Sequence, residues 1–61
     1  MADTPQKKIL IVEDEPDAQK IYLDILQAAG FYAKGANNGK EALAALEAEK
    51  FDLVLLDIIM P

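Results

Sequence analysis

The sequence predicts an α/β fold built on a small parallel sheet. Two runs, Lys8 to Val12 (KILIV) and Phe51 to Leu56 (FDLVLL), are short, apolar and lack strict polar alternation, which is how strands buried on both faces read. Between them, two stretches place apolar residues at spacings of three and four, the mark of a helix with one apolar face. Strands joined by helical crossovers pair in parallel through right-handed connections. With a third short strand between the helices, the order is strand, helix, strand, helix, strand.

Residues 1–7 form a polar lead-in to the first strand at Lys8 to Val12. Glu13, Asp14 and Glu15 then break the apolar run. Pro16 suits the first position of a helix, where an N–H has no intrahelical partner, and Glu15 is expected as the cap. Ala18, Ile21, Tyr22, Ile25, Leu26 and Ala29 line up on one face of a helix from about Pro16 to Ala29, and Gly30 stops it. Phe31 to Ala36 (FYAKGA) reads as a short strand, although Gly35 and the alanines dilute the β signal. Asn37-Asn38-Gly39 could turn a hairpin, but helical spacing follows. Asn38 is therefore expected to cap a second helix, with Glu41 reaching back to the cap N–H. Ala42, Leu43, Ala45 and Leu46 give that helix its apolar face to about Ala48. Glu49 and Lys50 return the chain to the third strand, Phe51 to Leu56.

A chain of 61 residues is expected to form one domain, residues 1–61. A domain of this size hides only about 60% of its unfolded surface, so its core is marginal without further support. There are no cysteines for disulfides, and no histidines or cysteines for structural zinc. Self-association is the remaining support. A formal net charge of −5 argues against nucleic acid or anionic membrane as a partner. The apolar runs are too short to span a bilayer, and MADTPQKK does not read as a signal peptide, so a cytoplasmic location is expected.

In parallel α/β sheets, ligands bind beyond the carboxyl ends of the strands. Here the first strand ends in Glu13 and Asp14, and the third in Asp57. If those strands are neighbours, their carboxylates converge and repel unless a cation or proton sits among them. A hard divalent ion such as Mg²⁺ suits oxygen ligands of this kind. The plainer account is solvated acids favoured by a helix dipole, and it is preferred for Glu15 and Asp17.

These residues carry a family resemblance. KILIVEDEP resembles the opening of a response regulator receiver domain, ANNGKEAL resembles the start of its second helix, and FDLVLLDIIMP resembles its third strand, phosphoacceptor aspartate and following proline. The resemblance covers residues 8–61 and implies a flavodoxin-like, doubly wound fold of strand order 2-1-3-4-5. This chain would hold its first half, a three-stranded sheet ordered 2-1-3 with two helices. By the same resemblance, Asp57 takes a phosphoryl group from a phosphohistidine on a sensor histidine kinase or from a small phosphodonor. Asp14 and Asp57 hold Mg²⁺ with the backbone carbonyl of Ile59, and Glu13 acts through a bound water. The implied role in two-component phosphorelay signalling is that of a phosphoacceptor rather than an enzyme, with autophosphotransfer left open. The family's hydroxyl residue after strand four and lysine after strand five have no counterpart here. None of Lys20, Lys34, Lys40 or Lys50 matches the lysine's position.

A half-fold of this kind leaves its third strand as an apolar edge, which templates association. The expectation is a homodimer with a sheet ordered 2-1-3-3′-1′-2′, its central pair antiparallel about a two-fold axis perpendicular to the sheet. Three functions compete: a truncated receiver that accepts phosphate on Asp57, a phosphorylation-inactive homodimerising or interaction module, and a competitor for a kinase through its first helix.

Overall fold

Among the described residues five elements follow in the expected order: β1 (Lys8–Glu13), α1 (Pro16–Ala28), β2 (Tyr32–Ala36), α2 (Gly39–Ala48) and β3 (Leu53–Asp57). The computed structural model describes residues 6–57, Asp57 through its backbone only. The strands form one parallel sheet in the order β2-β1-β3. This is the expected 2-1-3 arrangement. The unalternating KILIV run is explained by the central place of β1, whose Leu10, Ile11 and Val12 are almost completely buried.

Successive side chains of a strand point to opposite faces. Leu10 and Val12 face α2, where they form a cluster with Ala36, Ala42 and Ala45 against which Phe51 packs. Ile9, Ile11 and Glu13 therefore project to the other face, where α1 lies. The crossovers thus place one helix on each face, as right-handed connections from β1 to β2 and back across to β3 require.

The helix ends show why the chain turns where it does. Glu15 occupies the N-cap position of α1 in an extended conformation, with Pro16 at the first helical position, but its side chain makes no cap hydrogen bond. The expected cap is thus a cap by position only. At the other end the Gly30 N–H donates to the Gln27 carbonyl (3.0 Å) and the Phe31 N–H to the Leu26 carbonyl (3.0 Å), while Gly30 takes φ +97°. This double closure needs a left-handed residue, which glycine supplies without a Cβ penalty. At α2 the Asn38 side chain accepts from the Glu41 N–H (2.8 Å), as expected. The reciprocal bond is shifted by one residue, because the Glu41 carboxylate accepts from the Asn37 N–H (2.9 Å).

The apolar face of α1 differs from the expected one. Ile21 and Ile25 are 58% and 60% exposed. The half-buried positions are Ala18, Gln19, Leu23 and Leu26. Periodicity registers apolar character but not what lies opposite it. The helix is apolar over a wider arc than the sheet covers, and it leans on β1 and β2 by the Gln19, Leu23 and Leu26 side. Both helices pack on β1 and β2, and among the described residues neither packs on β3. Tyr22 of α1, Ile11, Leu55 and Leu56 line an open apolar groove of about 240 Å³ between helix and edge strand.

At the amino ends of the strands a polar clasp was not legible in the sequence. The Lys8 ammonium lies 2.6 Å from Glu49 and within 5.3 Å and 5.5 Å of the Tyr32 and Phe51 ring centres. Lys34 adds a longer ion pair to the same carboxylate at 3.5 Å. Chiefly through its hydrogen bond with Lys8, the Glu49 carboxyl is held below its ordinary pKa. Asp52 completes the clasp: its carboxylate accepts from the Lys8 N–H (2.7 Å), and its own N–H donates to the Lys8 carbonyl (2.7 Å). This explains why β3 begins at Leu53 rather than at Phe51.

Candidate acidic site at the carboxyl end of the sheet

The acids singled out from sequence lie at the carboxyl ends of β1 and β3. Glu13 was read as interrupting the apolar run and closing the first strand, and it does close it. It is the last residue of β1 and the parallel partner of Asp57, the last of β3. The Glu13 side chain is 4% exposed, the one charged group among the buried side chains of the described residues. Asp14 follows immediately and is exposed, as are Glu15 and Asp17. Asp17 sits in the first turn of α1, where the helix dipole favours an acid.

The fold therefore brings Glu13 and Asp57 to one level of the ladder with Asp14 one residue beyond. The Asp57 side chain and the whole of Ile59 lie outside the described residues. Among the described residues no three His, Cys, Asp or Glu side chains gather around a common point, and the set expected from sequence depends on Asp57 for its third carboxylate. The donor chemistry fits a hard divalent cation. The oxygens at this edge are carboxylate and carbonyl, the ligand types Mg²⁺ prefers, with one carboxylate withdrawn from solvent and the next open to it. Among the described residues no lysine pairs with Asp14, and the ammonium groups of Lys8 and Lys34 are engaged at the opposite end of the sheet.

Sequence reasoning passed over one participant. Gln19, on the sheet-facing side of α1, donates through Nε2 to the Glu13 carbonyl (3.1 Å), the Ala36 carbonyl (3.1 Å) and Asn37 Oδ1 (3.0 Å). It crosses the ends of β1 and β2 beside Gly35, where a Cβ would collide with its side chain. The available signal was a glutamine four residues before Leu23 and seven before Leu26, at helical spacing with the packed side.

A family model described as the response regulator receiver domain matches residues 9–61. The chain is 38% identical over 55 residues to a response regulator receiver protein, CpdR, of Brucella abortus, covering 90% of this chain and 46% of that protein. It is 36% identical over 59 residues to the DNA-binding response regulator MtrA of Mycolicibacterium smegmatis, covering 97% and 26%. It is 36% identical over 61 residues to the sensor histidine kinase RcsC of Escherichia coli, covering 100% and 6%. The chain thus spans less than half the length of each of these relatives. No solved structure matches it. Among the described residues no helix is long and apolar enough to cross a membrane.

Proposed function

The chain belongs to the response regulator receiver domain family of two-component phosphorelay signalling, and on that premise we propose that Asp57 accepts a phosphoryl group at an Mg²⁺ site. The observation that carries the reading is the register of Glu13 with Asp57, which sets the two acidic strand ends side by side. Asp14, Asp57 and the Ile59 carbonyl would hold the ion, with Glu13 reaching it through a water. When bound, Mg²⁺ neutralises charge on the transferring group. Asp57 supplies the nucleophile: a carboxylate oxygen forms the new P–O bond as the donor's P–N bond breaks. The electron pair leaves on the donor histidine, which takes a proton from solvent. With a sensor histidine kinase as donor the bond that breaks is this P–N bond; with a small acyl phosphate it is the P–O bond, and the electron pair leaves on the departing carboxylate.

The test is intact mass after incubation with acetyl phosphate and Mg²⁺. The expected result is a gain of one phosphoryl group that chelation of Mg²⁺ prevents and Asp57→Asn abolishes. No gain in the unmodified chain, or a gain that survives Asp57→Asn, refutes the reading.

A second reading concerns association. Leu53, Val54, Leu55 and Leu56 are all exposed on β3, with no lysine or proline among them to deter pairing. A second copy pairing antiparallel through β3 would extend the sheet to the order 2-1-3-3′-1′-2′. Sedimentation of the 61-residue chain should give a dimer mass that Leu55→Lys reduces to the monomer. A monomer at every concentration tested refutes this pairing.

A further inference from the structure

We propose that Gln19 is a positioning residue for the acidic site: its carboxamide holds the Glu13–Asp14 peptide in the orientation in which the neighbouring carboxylates receive Mg²⁺. The Glu13 carbonyl that Gln19 grips belongs to the peptide linking Glu13 to Asp14, so fixing that oxygen fixes the plane from which both side chains depart. The identity of the gripping atom is determined by chemistry. Backbone carbonyls only accept, so the two carbonyls of Glu13 and Ala36 require the amide nitrogen and not the oxygen to face them. That nitrogen has two hydrogens for three acceptors, which makes one bond shared and leaves no donor for solvent.

The surroundings are arranged to permit this reach. Gly35 has no Cβ at the point where the Gln19 side chain crosses β2, and a Cβ there would displace it. The third acceptor, Asn37, is tied by its own N–H to Glu41 of the α2 capping box. Gln19 therefore joins three pieces of chain that otherwise end separately: the close of β1, the close of β2 and the entry to α2. Groups that orient metal ligands from outside the ligand set commonly change metal affinity by about 10-fold to 100-fold when removed.

The inference rests on the Mg²⁺ reading above, and the experiment separates the two. Calorimetric titration of Mg²⁺ into the unmodified chain is compared with Gln19→Met, which keeps length and neutrality and removes the donors. The Kd for Mg²⁺ is expected to rise at least about tenfold. Lys8→Met, at the far end of the sheet, controls for destabilisation and should leave the Kd in place. Gly35→Ala displaces the Gln19 side chain without altering it and should act in the same direction as Gln19→Met.

One measurement needs no variant. In an NMR titration of the unmodified chain, the Gln19 side-chain NH₂ resonances should shift with the same Mg²⁺ midpoint as the Asp14 amide. This arm decides the matter if the variants do not fold. An unchanged Kd in folded Gln19→Met, or stationary Gln19 resonances while Asp14 moves, overturns the positioning role and leaves the metal reading standing. Absence of Mg²⁺ binding by the unmodified chain overturns both.

Discussion

Replacing Leu10 and Leu56 by alanine, one at a time, compares one deletion in two environments. Leu10 lies in central β1 at 0% exposure, within the cluster shared with Val12, Ala36, Ala42 and Ala45. Removing a fully buried leucine side chain to alanine costs its transfer free energy and leaves a cavity, about 3 kcal/mol in total. A domain of 61 residues has a total stability of only about 3 to 9 kcal/mol. Leu10→Ala therefore removes a large share of the stability, from about a third to all of it. Leu56 is 71% exposed on β3. Less than a third of its surface is withdrawn from water, so Leu56→Ala should cost less than about 1 kcal/mol. Urea unfolding followed by far-ultraviolet circular dichroism, at protein concentrations low enough to hold the chain monomeric, reads both. Equal midpoints for the two variants, or a Leu10→Ala cost below about 1 kcal/mol, would refute the assignment of the core to β1.

Further outcomes follow from the helix ends and the polar clasp. Gly30→Ala forces a Cβ onto a residue at φ +97° and should destabilise by roughly 1 to 2 kcal/mol in the same urea assay. Asn38→Ala removes the side-chain acceptor of the Glu41 N–H and should cost about 1 kcal/mol. The Glu49 carboxyl has a folded-state pKa below its ordinary 4.5. Its stabilisation is therefore present above pH 4.5 and lost as the pH falls through the lowered folded value. A comparison of unfolding midpoints as the pH is lowered from about 6 to well below 4.5 should show a smaller acid loss for Lys8→Met than for the unmodified chain.

Much of the fold was legible because its signals are local. The unbroken apolar run of β1 carries its central position, and Gly30 and Asn38 mark helix ends through conformations that their own side chains favour. What was not legible depends on residues far apart in sequence. The Lys8–Glu49 pair spans 41 positions, and nothing near either residue announces the other. Ile21 and Ile25 misled for a related reason, since apolar spacing is the same whether the sheet lies beneath a face or stops short of it. At the site, Glu13 and Asp14 were found by chemical type. The reading that the first strand ends in Glu13 and Asp14 holds to within one residue, because ladder hydrogen bonds involve only backbone and tolerate a terminal charge. Gln19 escaped because its helical spacing with Leu23 and Leu26 marks the packed side of α1 but not which acceptors lie opposite a polar side chain there.

Among the described residues no helix packs on β3, and this sets the order in which parts of this molecule open. Of the two long edges of β3 one is ladder-bonded to β1 and the other is unpaired among the described residues, so β3 can detach while β1, β2 and both helices remain packed. Amide exchange should then divide the sheet, with the β1–β2 ladder protected to the global unfolding free energy and β3 released by a smaller opening. The acidic strand end at Asp57 rides on that weaker unit. A ligand that bridges Glu13 or Asp14 to Asp57 would therefore act as a latch, slowing exchange along Leu53 to Leu56 before it changed the stability of the rest.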